Sequence, residues 1–338
     1  MFNEYTMEYL NKNDKTGRKR VAAFLDELDI VFDEHIDITI NMLDEDGIIA
    51  TASAEKNLVK CLAVKPEYRS ENLLNTVFSE LLNHLHHKGI LELSLFTSHR
   101  NEKIIESLGF STVCKTDNIV FMENSNDRFS NYLKKISSFK EDCINTASIV
   151  MNMNPITNGH LYLIEKVSEE NDCVYIFIVS EDKSAVPFET RYRLAVESTR
   201  HLENVKIITG GEYIISSSTF PSYFLKDYTV WLDSYCEMDL TIFGKYIAKE
   251  LNITKRYVGN EPYCKVTNRY NEKMKEILPK YGIEVIEIER FSIGSKAVSA
   301  SHVRKLAGEG KFEELKKLVP EATYDYLISE YSDSKKRD

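Results

Sequence analysis

The sequence lacks any apolar run long enough to cross a membrane. Its longest apolar stretches, such as Val174–Val179, fall far short of the ~20 residues that a transmembrane helix needs. The first residues, Met1–Tyr5, also lack the basic start and apolar run of a secretion signal. We therefore expect a soluble, cytoplasmic protein with no membrane partner.

Positive charge is in short supply. The 43 Lys and Arg residues are outnumbered by 53 Asp and Glu residues, which gives a formal net charge of −10. Non-specific binding of nucleic acid requires a basic surface that neutralises phosphates, so we expect no nucleic-acid partner. A single cleft can still be basic, because a ligand senses the local field and not the bulk charge.

Paired cysteine motifs are missing as well. None of the six cysteines forms a C-x-x-C pair, and their spacings match no zinc motif; they are Cys61, Cys114, Cys143, Cys173, Cys236 and Cys264. We interpret them as reduced, mostly buried thiols. The sequence therefore predicts no metal-ligating residues.

The 338 residues suit two domains. The pattern of apolar residues in residues 1–128 predicts a mixed α/β domain, and Leu91–Phe96 is one of its predicted strands. Residues 129–146 form the junction, with a connecting helix at its start. Residues 147–338 alternate strands with helices up to a final helix that begins at Ser301–Gly308, and this order predicts a parallel sheet covered on both faces. Ligands of such sheets bind at the carboxyl ends of the strands.

A polar turn follows the predicted strand Ser148–Met151. The turn, Asn154–His160, opens a helix, and helix N-termini attract phosphate through unpaired amides and a partial positive charge. Gly159 permits close approach of the backbone, and His160 places an imidazole in the first helical turn. The segment predicts a site for a phosphorylated ligand; the alternative is a polar loop that only caps the helix.

These residues resemble a known superfamily. Thr157–His160 is similar to the T/H-x-G-H signature of nucleotidyltransferases, and the resemblance extends over residues 147–310. Ser180–Lys183 resembles the basic loop that meets the triphosphate, and Thr190–Arg193 resembles the Arg-containing start of the next helix. Val298–Arg304 resembles the I-S-S-T/S-x-x-R/K signature, in which a helix start holds the β- and γ-phosphates.

The resemblance implies roles for individual residues. His160, Lys183 and Arg304 would meet the charge of the transition state. The resemblance also implies contacts with the phosphates for Asn152, Thr157, Gly159, Arg191, Ser299 and Ser301. It implies contacts with the base or the ribose for Gly259, Glu261 and Pro262. Asn152 stands where phosphopantetheine adenylyltransferases usually have Thr or Ser, so the acceptor is expected to differ from theirs.

Further segments indicate which family within this superfamily the sequence resembles. Tyr257–Tyr263 and Val266–Asn271 resemble a segment of citrate lyase ligases. In the first domain, Cys61–Leu74 and Asn101–Phe110 resemble the acyl-CoA-binding loop and the later G-F segment of GNAT acetyltransferases. The small residues of the GNAT loop are absent here. The resemblance leaves open whether this domain binds acetyl-CoA, holds a CoA-like arm or only docks a partner.

A GNAT-like domain followed by a nucleotidyltransferase-like domain is the arrangement of citrate lyase ligases. This resemblance implies that acetate attacks ATP, with Mg²⁺, to give acetyl-adenylate and pyrophosphate. The acetyl group then passes to the thiol of a CoA-derived group on the citrate lyase acyl carrier subunit. Three alternatives remain open. They are an adenylyltransferase that makes a nucleotide cofactor, a GNAT acyltransferase with a nucleotide-sensing domain, and a non-catalytic scaffold.

Overall fold

The computed structural model describes residues 5–69, 72–180, 184–215, 228–261, 264–293 and 296–334. The chain divides into two compact units. The first contains the described residues up to Asn131 together with residues 228–238, and the second contains the remainder. Among the described helices, none combines the length and the apolar character that a membrane span requires.

The first part of the chain is built on a seven-stranded mixed sheet with the strand order β1-β2-β3-β4-β5-β7-β6. Its strands are β1 Thr6–Asn11, β2 Ile38–Asp44, β3 Gly47–Glu55, β4 Leu58–Val64, β5 Ser94–Thr97, β6 Ser111–Lys115 and β7 Val120–Glu123. Its helices are α1 Lys15–Asp26, α2 Leu73–His87 and α3 Glu102–Ser107, and α4 Arg128–Ser137 follows β7. Within this seven-stranded sheet, only β4 and β5 pair in parallel, and they do so at two positions.

Helix α2 supplies much of the core of this first part. Leu73, Val77, Phe78, Leu81 and Leu85 recur at the spacing of one helix face, and all five are buried in one apolar cluster with residues of β2 to β5 and β7. The mixed α/β class expected for a GNAT-like domain is confirmed.

The second part contains a five-stranded sheet with the order β10-β9-β8-β11-β12, and every pair is parallel. Its strands are β8 Thr146–Met151, β9 Cys173–Ile178, β10 Val205–Thr209, β11 Lys255–Gly259 and β12 Glu284–Ile288, and a separate hairpin is formed by β13 Ser292–Ile293 and β14 Lys296–Ala297. The helices are α5 Asn158–Glu170, α6 Phe188–Thr199, α7 Tyr228–Ile242, α8 Ala248–Glu250, α9 Lys265–Ile277, α10 Ala300–Gly308, α11 Phe312–Leu315 and α12 Glu321–Ser334. A π-helical turn, Phe243–Ile247, joins α7 to α8.

Strand β9, which lies between β10 and β8, shows why this sheet is parallel. All six of its residues, Cys173–Ile178, are buried, which is the pattern of a strand covered by helices on both faces. The predicted parallel sheet is therefore confirmed.

The structure differs from the sequence expectation at several elements, among them β5, β1 and α10. Strand β5 begins at Ser94, because Leu91 is 61% exposed and the backbone amide of Leu93 pairs with the side chain of Asn124 at 2.7 Å. Strand β1 was not predicted, since it is an edge strand in which only Leu10 is buried. Helix α10 is not the final helix, because α11 and α12 follow it and pack with it around Val303.

Candidate nucleotide-binding site

The order of the parallel sheet creates a crevice between β8 and β11. From β8 the chain moves outwards to β9 and β10, and it then returns to place β11 and β12 on the other side of β8. Such a switch point leaves an open crevice at the carboxyl ends of the two central strands, and ligands bind there. The turn after β8 and the residues that follow Gly259 both lie at this edge.

The turn after β8 ends in a capping box at the start of α5. Thr157 is the N-cap residue, and its hydroxyl oxygen accepts a hydrogen bond from the backbone amide of His160 at 3.4 Å. In return, Nδ1 of His160 accepts a hydrogen bond from the backbone amide of Thr157 at 3.0 Å. A ring nitrogen that accepts carries no proton, so the neutral imidazole holds its proton on Nε2.

The second ring nitrogen of His160 is available to a ligand. Among the described residues, none is hydrogen-bonded to Nε2. Burial of the ring, and then the nearby guanidinium of Arg290, lower the pKa of His160 to about 4. At neutral pH the side chain is therefore an uncharged donor, and the helix N-terminus beside it contributes partial positive charge.

Gly159 lies where the two signature segments, Thr157–His160 and Val298–Arg304, approach each other. A Cβ atom at this position would lie 3.2 Å from the carbonyl oxygen of Val298, which is tighter than nine in ten real contacts of a Cβ atom. Glycine therefore lets the start of α5 approach the residues just before α10. A guanidinium nitrogen of Arg304, in α10, also donates a hydrogen bond to the carbonyl oxygen of Asn154 in the turn.

Helix α10 begins with a second polar cap. Ser299 is its N-cap, and its hydroxyl accepts a hydrogen bond from the backbone amide of His302 at 3.3 Å. The hydroxyl groups of Ser299 and Ser301 lie 3.3 Å apart, and Ser301 is exposed. The two helix starts thus meet where Gly159 contacts Val298, and the N-termini of helices attract anions through their partial positive charge.

Arg191 lies beneath the turn and not on its surface. The side chain is fully buried, and Nη1 donates to the carbonyl and the side-chain oxygen of Asn152, both at 2.8 Å, and to the carbonyl of Val179 at 2.8 Å. Ser184 donates to the same side-chain oxygen of Asn152 at 3.2 Å. These bonds fix the amide orientation, so that the NH₂ group of the exposed Asn152 points away from Arg191. A direct contact of Arg191 with a nucleotide stays a prediction.

The residues after β11 form the other wall of the crevice. Gly259 ends the strand, and its carbonyl accepts from the side chain of Asn271 at 3.2 Å. Glu261 is 8% exposed and forms an ion pair with Arg290. Arg290 also donates through Nε to the carbonyl of Asn260 at 2.7 Å.

Arg290 is a site residue that the sequence motifs did not reveal. It follows β12 by two residues, so the parallel sheet places it at the same edge as the turn after β8. Its charge reaches His160, as the lowered pKa of that residue shows. The feature of the sequence that could have identified Arg290 is its position, because it is a basic residue just past the end of a predicted strand.

Apart from Arg191, which is buried beneath the turn, the predicted site residues fall into three sets. Seven meet around the two helix starts, namely Asn152, Thr157, Gly159, His160, Ser299, Ser301 and Arg304. Gly259 and Glu261 lie at the end of the neighbouring strand β11, with Arg290. Lys183 and Pro262 lie outside the described residues.

Comparison with known proteins covers both parts of the chain. Solved structures with similar folds include Thermotoga maritima TmcAL bound with alpha-thio ATP, with 14% identity, a TM-score of 0.37 and coverage of 56% of each chain. A putative acyl-CoA N-acyltransferase from Klebsiella pneumoniae covers 36% of this chain and 97% of its own, with 18% identity and a TM-score of 0.27. Residues 146–327 match the family described as the citrate lyase ligase C-terminal domain. Over 333 residues, the chain is 34% identical to the [Citrate [pro-3S]-lyase] ligase of Escherichia coli (strain K12), which covers 97% of this chain and 95% of that protein.

The protonation of His160 gives a direct test of this geometry. The ordinary pKa of about 6.5 applies to the unfolded chain, and the folded value is about 4. As pH falls from 6.5 to 4, the unfolded state gains a proton that the folded state does not, so the free energy of unfolding should decrease. Replacement His160→Gln removes this group but keeps a cap acceptor, and its stability should depend less on pH in that window.

The same property can be read from the imidazole by NMR. The ring signals of His160 should not shift between pH 8 and pH 5.5. A midpoint for His160 near 6.5 would contradict the low pKa that burial and the charge of Arg290 impose.

Proposed function

The chain belongs to the citrate lyase ligase family, and from this membership we propose that it acetylates the citrate lyase acyl carrier subunit in an ATP-dependent reaction. The acceptor is the thiol of the CoA-derived prosthetic group on that subunit. The enzyme is an acid–thiol ligase, because the bond it forms is a thioester. The relatives from three bacteria carry the same ligase name, at 32% to 34% identity and over 91% or more of this chain.

One observation supports this proposal more than any other. The start of α5 meets the residues just before α10 at the switch point of the sheet, and His160 lies in the first turn of α5 as a neutral donor. The partial positive charge of two helix N-termini can attract a triphosphate, and a donor at the turn can stabilise the charge that develops on the α-phosphate.

In the first step, a carboxylate oxygen of acetate attacks the α-phosphorus of ATP. The bond from this phosphorus to the bridging oxygen of the β-phosphate breaks, and pyrophosphate leaves. Acetate is already ionised at neutral pH, since carboxyl groups titrate near pH 4, so the attack requires no general base. The protein contributes fixed donors and positive charge to the phosphate oxygens.

In the second step, the sulfur of the carrier arm attacks the carbonyl carbon of acetyl-adenylate. The bond between this carbon and the phosphate oxygen breaks, and AMP leaves with the electron pair. The thiol proton passes to solvent or to the phosphate group of the departing AMP. Acetyl is thereby transferred to sulfur, and the energy of the ATP bond is retained in the thioester.

We assign roles to the site residues on the basis of their positions. His160, Lys183 and Arg304 meet charge on the phosphates, and Arg290 adds positive charge beside His160. The positioning groups are the amide of Asn152 and the helix starts capped by Thr157 and Ser299, with Gly159 and Ser301. Gly259, Glu261 and Pro262 form the wall against the nucleoside. Arg191 acts through Asn152, whose side chain it orients.

Mg²⁺ is the ion that this chemistry requires. Within the described part of the chain, the one group of three clustered metal-ligand side chains is far from this crevice. Triphosphate oxygens and water would therefore supply most ligands of Mg²⁺, as is usual for this ion. ATP and reduced thiols are both available in the cytoplasm, and we propose that compartment.

The adenylate step predicts ATP–pyrophosphate exchange that depends on acetate. The variant His160→Gln should lose exchange by about 100-fold or more, because a donor to the developing charge is misplaced. Its thermal stability should stay close to wild type, since Gln at this position keeps the capping hydrogen bond. The exchange rate and the melting temperature are measured on the same preparations.

The matched control is His201→Gln. His201 is half exposed and pairs with Glu165 at 3.3 Å, away from the crevice, and its variant should exchange at the wild-type rate. Exchange without acetate would indicate an adenylyltransferase instead. If His160→Gln retained exchange within a few-fold of wild type, the role of His160 would be wrong.

The positive charge of Arg290 leads to a second prediction, which concerns the pKa of His160 and the exchange rate. In Arg290→Gln, the loss of positive charge should raise the pKa of His160 and slow exchange by at least about tenfold. Arg290→Lys keeps the charge, so the pKa of His160 should remain low. The variant Lys275→Gln is the control, because Lys275 pairs with Glu287 at 2.6 Å on the exposed face of α9. An unchanged His160 pKa in Arg290→Gln would refute this coupling.

A further inference from the structure

A second cluster of reactive side chains lies at the other end of the parallel sheet. Glu141 and Cys143 precede β8, and Cys173 is the first residue of β9. One ligand atom from each of the three residues lies within 4.8 Å of the other two. Within the described part of the chain, this is the group of His, Cys, Asp and Glu side chains that meets such a spacing.

The cluster is remote from the nucleotide crevice. Cys173 is at the amino end of β9, whereas the crevice lies at the carboxyl ends of the strands. Six residues of strand span roughly 20 Å. A ligand at the cluster would therefore act on the structure of this region and not on the phosphates.

The three side chains are held in place by their surroundings. Cys173 is fully buried, and its sulfur lies 3.1 Å from Oε2 of Glu141. The hydroxyl of Tyr175 accepts a hydrogen bond from the backbone amide of Glu141 at 3.0 Å and donates to the carbonyl of Phe139 at 3.1 Å. Residues 140–145 themselves lie in no helix or strand, so these contacts fix an irregular segment.

Lys206 is the charged group that faces the cluster from β10. Its ammonium lies 2.8 Å from Oε1 of Glu141, which leaves Oε2 directed towards Cys173. A carboxylate can bind a metal through one oxygen while the other accepts a hydrogen bond, and such outer partners commonly orient metal ligands. Lys206 is therefore compatible with a cation at the sulfur atoms.

We propose that Glu141, Cys143 and Cys173 bind one Zn²⁺ ion, with water as the fourth ligand. Zinc accepts thiolate and carboxylate ligands, and tetrahedral bonds of about 2.0–2.3 Å separate the ligand atoms by roughly 3.5–3.8 Å. The observed cluster lies within the small adjustment that this geometry requires. The ion would tie the segment before β8 to the start of β9.

Binding must displace protons from both sulfur atoms. Burial, together with the carboxylate of Glu141, raises the pKa of Cys173 to about 12, so the metal-free side chain remains a thiol at neutral pH. Thiolates are the form that ligates zinc, so each ion that binds releases two protons. No electron is transferred in this step.

The test uses the full-length protein, reduced and freed of metal with a chelator. Titration with Zn²⁺ should give one bound ion per chain and release of about two protons, and Cd²⁺ should give thiolate charge-transfer absorption. Zinc should also raise the melting temperature, because an ion that binds only the folded state stabilises it.

Cys143→Ser is the main variant, because Cys143 is only half-buried and the replacement is small. Zinc affinity should fall by at least about tenfold, and Glu141→Gln should also weaken binding, since the loss of even an outer partner costs that much. Cys264→Ser, at an exposed cysteine elsewhere, should bind zinc as wild type does.

Two results would overturn the proposal. One is that wild-type protein binds no zinc at micromolar concentration. The other is that Cys143→Ser binds zinc as tightly, and gains as much in melting temperature, as wild type. If the reduced protein takes no metal and mild oxidation joins Cys143 to Cys173, the cluster is a thiol pair and not a metal site.

Discussion

The hydrogen bond from the backbone amide of Thr157 to Nδ1 of His160 is the interaction on which the candidate site depends. It closes the first turn of α5, and it forces the imidazole proton onto Nε2. Because the ring is also buried beside Arg290, its pKa is too low for protonation at neutral pH. The residue therefore stays a neutral donor of fixed orientation, which is what charge stabilisation in a transition state requires.

The parallel sheet brings this local geometry together with distant residues of the candidate site. The order β10-β9-β8-β11-β12 brings residues that are more than 100 positions apart to one edge. Gly159 then allows the start of α5 to touch Val298, and Arg304 bonds to the turn from the other helix. Buried Arg191 holds the turn from below. The turn of the candidate site is thus supported from beneath by a fully buried side chain.

Local sequence motifs predicted much of this arrangement. Thr157–His160 and Val298–Arg304 carry their helix starts in the sequence, and strand–helix alternation predicts the parallel sheet. Other features depend on the three-dimensional fold. Arg290 has no motif, and its role follows from the pairing of β11 with β12. The cluster of Glu141, Cys143 and Cys173 has no zinc spacing either, because its members meet only through the packing of β8 beside β9.

The most direct test of the proposed function is the mass of the acceptor. A citrate lyase acyl carrier subunit with its CoA-derived arm is incubated with this protein, ATP, Mg²⁺ and acetate, and its intact mass is then measured. The account predicts a gain of one acetyl group per carrier, formation of AMP, and no gain when ATP or acetate is omitted. A carrier that remains unmodified, or one that gains an adenylyl group instead, would contradict it.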